Sequence, residues 1–205
     1  MNILIHPTYL PNIITFVTIA KAKEVTFEMG DNFQKQTYRN RSYIYAANGK
    51  LQLSIPVVYS QKNRQKYEDV KLANDYKWQD LHWKSFESAY RTSPFFEFYA
   101  DELKPLFIES FENILDFNLK CFEVVCDCLQ LDVKLNKTVE YVKEPVALKD
   151  YRHLVQAKRE PMYELDDYIQ VFSEKHGFID NLSILDLLFN EGTNALSYLE
   201  SQRLP

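Results

Sequence analysis

Apolar residues in this chain follow two spacings, and the change from one to the other marks its elements. Ile3-Leu4-Ile5 is an unbroken apolar run, the pattern of a strand covered on both faces. His6-Pro7 ends it, because proline cannot donate to a ladder. Ile13, Ile14, Phe16, Val17 and Ala20 then recur at helical spacing, with Pro11 suited to the first turn and Lys21 to Lys23 closing the helix. Residues 25–29 return to a strand pattern. Strand, helix, strand in this short compass predicts a βαβ unit with parallel strands and a right-handed crossover.

Residues 30–40 are polar and read as a loop. Tyr43-Ile44-Tyr45 and the alternating Leu51, Leu53, Ile55 and Val57 flank Asn48-Gly49, a dipeptide that favours the positive φ angles of a type I′ turn. The expectation is a hairpin whose second strand covers Leu51 to Val57, and Pro56 places that strand at a sheet edge or near its own end. Residues 60–68 read as a charged surface loop and 70–73 as a short strand.

From Trp78 the spacing is helical. Leu81, Ser85, Ala89 and Tyr90 fall on one face, and Trp78, His82 and Phe86 on another. Ser93-Pro94 breaks the pattern, a second helix covers 95–103, and Pro105 starts or kinks the next. Phe111, Leu115, Phe122, Val125 and Leu129 define a long helix, with Asn118 on the same stripe, either anchoring a loop or facing a site. Residues 131–165 show neither period. Residues 168–172 read as a late strand. Ser183 to Asp186 resembles a capping box, Gly192 ends that helix, and Thr193 caps a last one. The fold class expected is α/β: a Rossmann-like, mostly parallel sheet begun by a βαβ unit, with a β-hairpin and a helical C-terminal half, in one domain over 1–205.

Composition changes this picture mainly by exclusion. The formal charge of −5 argues against nucleic acid as the main partner, which needs a basic surplus. No run approaches the ~18 apolar residues of a membrane span, and the start lacks the cationic lead of a signal peptide. Cys121, Cys126 and Cys128 crowd one apolar stretch and read as reduced core thiols, so a cytoplasmic location is expected. The four glycines are too scattered for a phosphate-binding glycine loop. His6, His82, His153 and His176 lie too far apart for a sequence-local metal motif, and no cofactor is expected. No nucleophile elbow or Asp-x-Asp motif occurs.

Three groupings retain chemical potential. His6-Pro7-Thr8-Tyr9 lies between the first strand and helix, where open parallel sheets bind ligands, so His6 and Tyr9 are candidates for anion contact or acid/base work. Lys35, Tyr38, Arg39, Asn40 and Arg41 offer clustered planar donors for a phosphate or carboxylate. His82 and Lys84, with Tyr90, sit on the aromatic-rich helix. His82 is the acid/base candidate there, against the plainer reading of a packed histidine.

Pro7-Thr8-Tyr9-Leu10-Pro11, Tyr38-Arg39-Asn40-Arg41, Ile55-Pro56-Val57, His82-Trp83-Lys84-Ser85, Ala89-Tyr90, Ser93-Pro94-Phe95-Phe96, Asp116-Phe117-Asn118-Leu119 and the segment from Ser183 to Gly192 occur in an order that resembles the WbqC-like family, in a short form. His6 stands where many relatives carry Gln, and the span around 132–150 is shorter than in longer relatives. The resemblance implies a role in bacterial surface-polysaccharide production, such as O-antigen or capsule. A transferase moving an amino-acyl group such as glycine, or another group, onto a sugar nucleotide or glycan is one reading. A non-catalytic binding or scaffold protein supporting glycan-assembly enzymes is the other. The expected ligand is an anionic small molecule or sugar nucleotide; Asp186 and Asn190, one turn apart on the late helix, join the candidate binding residues or hold the carboxy-terminal packing.

Overall fold

A computed structural model describes residues 1–60, 64–158 and 161–205. The expected charged loop falls partly, and Arg159 wholly, outside the described residues. β1 (Asn2–Ile5), α1 (Ile13–Ala20) and β2 (Glu24–Phe27) form the βαβ unit, with β1 and β2 parallel and Ile3 opposite Val25. Ile3, Leu4 and Ile5 are all buried, as a central strand requires. Asn12 caps α1 by accepting from the Thr15 backbone N–H, so Pro11 stands just before the cap. α1 is buried from Ile13 to Ile19 because α6 and α7, defined below, pack against it.

β3 (Arg41–Ala46) and β4 (Gly49–Ser54) form the hairpin. Its tip differs from the expected type I′ turn: Ala47-Asn48 are the turn residues, and only Gly49 has positive φ, +100°. The second strand also ends early, at Ser54. Pro56 has no N–H for the ladder, and the chain turns to form β5 (Val57–Val58) against β6 (Lys71–Leu72). Leu51 is accordingly 38% exposed while Leu53 is buried.

α2 (Trp78–Tyr90) buries Trp78, His82, Trp83, Phe86, Ala89 and Tyr90. Of the face shared by Leu81, Ser85, Ala89 and Tyr90, Leu81 is 61% exposed while Ala89 and Tyr90 are buried beside the stripe led by Trp78. α3 (Phe96–Leu103) and a 3-10 turn at Lys104–Phe107 lead to α4 (Ile114–Leu129). Phe122 of α4 stacks on Phe16 of α1 and meets Phe27 of β2 edge-on at 4.9 Å.

Residues 131–165, silent in the sequence, supply both outer strands of the main sheet. β7 (Leu135–Lys137) pairs with β2 and β8 (Lys149–Asp150) with β1, giving the all-parallel order β7-β2-β1-β8. Both are short and exposed, so no apolar alternation announces them. Residues 168–172 form no strand; Gln170 is instead tied to Ile179 through its side chain. α5 (Ser173–His176), α6 (Ile184–Glu191) and α7 (Ala195–Ser201) complete the chain. Ser183 caps α6 by accepting from the Leu185 N–H, but the Asp186 carboxylate turns inward and does not close a capping box. Asn194, not Thr193, stands at the α7 cap position, with no side-chain cap bond. Among the described residues, no helix is long and apolar enough to cross a membrane.

Candidate functional site

Parallel strands deliver their carboxyl ends to one edge of the sheet, and the residues that follow them meet there. His6 follows β1, Glu28 follows β2, and Asp150 with Arg152 closes β8. The loop after β2 adds Asp31 and Arg39. Arg39 Nη2 donates to Asp31 Oδ2 at 2.6 Å and lies 3.1 Å from His6 Nε2. The Arg39 side chain has no solvent exposure, and its Nε and Nη1 have no hydrogen-bond partner among the described residues.

His6 is held neutral, its pKa lowered to about 2 by burial first and then by the Arg39 and Arg152 cations. Asp31 Oδ2 lies only 3.3 Å from His6 Nε2, which taken alone suggests a protonated ion pair. The geometry favours the neutral form: both atoms are acceptors for the two protons of one Arg39 NH2 group.

Glu28 is fully buried and saturated. Oε1 accepts from the Gly30 N–H and the Thr138 hydroxyl, and Oε2 from the Val142 N–H and Arg152 Nη1. Arg152 also forks onto Asp150, at 2.9 and 2.7 Å, holding that carboxyl below its usual range. Residues 138–142 are thereby strapped across the end of β2. They lie so close that a Cβ on Gly30 would sit 2.3 Å from the Tyr141 backbone nitrogen.

Behind this edge, Tyr67 donates to the Pro7 carbonyl, and Asn118 donates to both the Arg39 carbonyl and the Tyr67 hydroxyl. Asn118 is thus the anchor of the Arg39 loop. Tyr9 Oη lies 2.8 Å from His82 Nδ1, both groups buried. Burial lowers the His82 pKa to about 4 against a backbone hydrogen bond to Ser54, so the neutral ring accepts from Tyr9. The Pro7–Pro11 turn between them holds Leu10 at φ +40°, a strained setting for a buried leucine. Leu10 is kept there by Ser42 and Ser183 hydroxyls donating to its carbonyl.

The other candidates make contacts of their own; Tyr38 stays beside the cluster, its carbonyl accepting from the Tyr9 N–H at 2.8 Å. Lys35 is exposed over the Tyr59 ring. Tyr38 is buried, its N–H donating to Val155. Asn40 donates to the Ile55 carbonyl, and Arg41 begins β3 opposite Ser54. Lys84 is exposed and paired with Asp80 along α2. Tyr90, Asp186 and Asn190 belong to a second buried network. Asp186 accepts from Tyr90, Tyr168 and Gln170, and Asn190 donates to the Asp186 carbonyl. Burial raises the Asp186 pKa while those donors oppose the shift. Tyr90 also receives the Tyr45 N–H. Tyr90→Phe strands an oxygen of Asp186 and that N–H, so a loss of about 1–2 kcal/mol is expected in urea unfolding; an unchanged unfolding free energy would show the hydroxyl to be idle.

Sequence reading passed over Glu28, Asp31, Tyr67, Asp150 and Arg152. The residue after each parallel strand was the available signal for Glu28, while Asp150 and Arg152 required β8 to be visible.

The model of the WbqC-like protein family matches residues 6–160. That span opens on His6 and takes in Arg39, His82 and Arg152, but stops before Asp186. An uncharacterized protein of Mycobacterium tuberculosis, Rv1507c, is 27% identical over 222 aligned positions that cover 96% of each chain. No solved structure matches significantly.

Proposed function

We propose a transferase function from the premise that the chain belongs to the WbqC-like protein family. The reaction is the transfer of a group, an amino-acyl unit such as glycine or another, onto a sugar nucleotide or glycan destined for bacterial surface polysaccharide. The observation that carries the reading is the Arg39 guanidinium, buried beside His6 at the end of the central strand with two nitrogens lacking acceptors. A buried cation with vacant N–H groups is suited to an oxyanion.

In this reading Arg39 anchors the anionic part of the substrate. His6, a weak base because it is buried and secondly because two cations face it, regains the part of its basicity that Arg39 suppresses once an anion offsets that charge. It then takes the proton of the attacking hydroxyl or amine and returns it to the leaving group. Tyr9 and His82 brace the turn that carries His6.

Calorimetry with a panel of sugar nucleotides tests this. Arg39→Met is expected to weaken binding of whichever compound the native protein accepts by about 30-fold or more, the cost of losing a desolvated charge contact. Equal binding by a folded Arg39→Met protein would remove the site. Binding without turnover in the presence of acceptor glycans would favour the second reading, a binding subunit for glycan-assembly enzymes.

A further inference from the structure

Asp31 occupies the Arg39 guanidinium in an unusual way. Only Oδ2 touches it, through Nη2; Oδ1 is taken by the N–H of Asn32 at 2.7 Å. The carboxylate as held engages the guanidinium through one oxygen and does not fork onto it, and Nε and Nη1 have no acceptor among the described residues. A free phosphate or carboxylate has no such tie and can pair Nη2 with Nε or with Nη1. Asp31 is also the outermost of the three groups: its side chain is 17% exposed, against 5% for His6 and none for Arg39.

The backbone beneath Asp31 is separately fastened. Its carbonyl accepts from the Tyr67 N–H, Asn32 bridges to Lys66, and the Phe33 N–H donates to Gln65. Rotation about the side-chain bonds of Asp31 alone would move its carboxylate away from Arg39 while these bonds persist.

Resting on the anion-site reading above, we propose that the Asp31 carboxylate is a resident competitor: it fills the Arg39 oxyanion site in the free protein and swings out when a substrate oxyanion binds. The affinity measured for any ligand is then reduced by the fraction of molecules in which Asp31 is already out. The competitor neutralises the buried cation while the site waits, and it screens against weak anions.

Titration calorimetry of native protein, Asp31→Asn and Asp31→Ser with inorganic phosphate, uridine diphosphate and acetate separates the possibilities. Tightening of about 10-fold or more in both variants for at least one probe is the expected result. The phosphate and acetate arms show which oxyanion the site prefers. If native protein binds a probe and both folded variants bind it no better, Asp31 is no competitor and the proposal fails, while the anion site stands. If neither native protein nor either folded variant binds any probe, the anion site itself is lost and the proposal with it. Thermal melting of each variant without ligand confirms folding; should Asp31→Asn not fold, Asp31→Ser decides alone.

Discussion

Lowering the pH from 7 to 5 is expected to cost this protein about 4 kcal/mol of unfolding free energy through two histidines alone. His6 and His82 stay neutral in the fold, with pKa values lowered to about 2 and about 4, whereas in the unfolded chain each takes a proton near 6.5. A lowered folded value means the stabilising contribution is complete above the unfolded pKa and is lost as pH falls toward the folded one. The window therefore opens just below pH 6.5, closes near 4 for His82 and continues toward 2 for His6. At pH 5 each unfolded imidazole contributes about 2 kcal/mol that the native state cannot match. Asp186 works in the opposite sense: burial raises its pKa, which gives a contribution present at low pH and lost as pH rises. Urea unfolding at pH 7, 6 and 5 measures the slope. In His82→Gln the histidine part of the drop should be halved to about 2 kcal/mol; a slope identical to that of the native protein would mean that His82 is not held neutral.

Glu28→Ala should be the most damaging single substitution at the strand ends, at about 3–5 kcal/mol. Four donors converge on a carboxylate with no solvent exposure, and alanine leaves three without their acceptor, the Gly30 and Val142 N–H groups and the Thr138 hydroxyl, while Arg152 Nη1 loses its charged partner and keeps the Val142 carbonyl. Water cannot take over without opening the strap. Arg152 keeps Asp150, which limits the damage from the uncompensated cation. Glu28→Gln keeps one acceptor oxygen and should lose about half as much. Urea unfolding gives the sizes, and hydrogen exchange locates them: the Val142 and Gly30 amides should lose protection first. A loss below about 1 kcal/mol, or unchanged protection there, would show that the strap holds itself.

The parts of the fold legible in the sequence were those in which one local pattern had one physical solution. The apolar run at Ile3 to Ile5, the helical spacing after Ile13 and the hairpin around Asn48-Gly49, though not its turn residues, each followed from side chains acting over a few residues. Their failures are as local. The second hairpin strand was drawn too long because Leu51, Leu53, Ile55 and Val57 keep alternating past the point where Pro56 breaks the ladder. Spacing along α2 gives two candidate stripes and does not say which of them meets the core; Leu81 is left exposed. The site was half legible: His6 and Arg39 stood out as residue types. Arg41 and Lys84 stood out equally as residue types; Arg41 begins β3 opposite Ser54, and Lys84 pairs with Asp80.

What the sequence determined by itself was the class of the fold and its seed. An apolar strand, an apolar helix and a second strand admit one compact arrangement, a parallel pair with a crossover, whatever follows. Tertiary structure decided which charges meet. β7 and β8 carry almost no apolar signal, because they are short outer strands that owe their place to backbone pairing with β2 and β1. Only when they join the sheet do Asp150 and Arg152 arrive beside His6, more than 140 positions away in the chain. Burial then sets the protonation of those groups, because the cost of a charge depends on its solvent and neighbouring charges, neither of which is a property of sequence spacing.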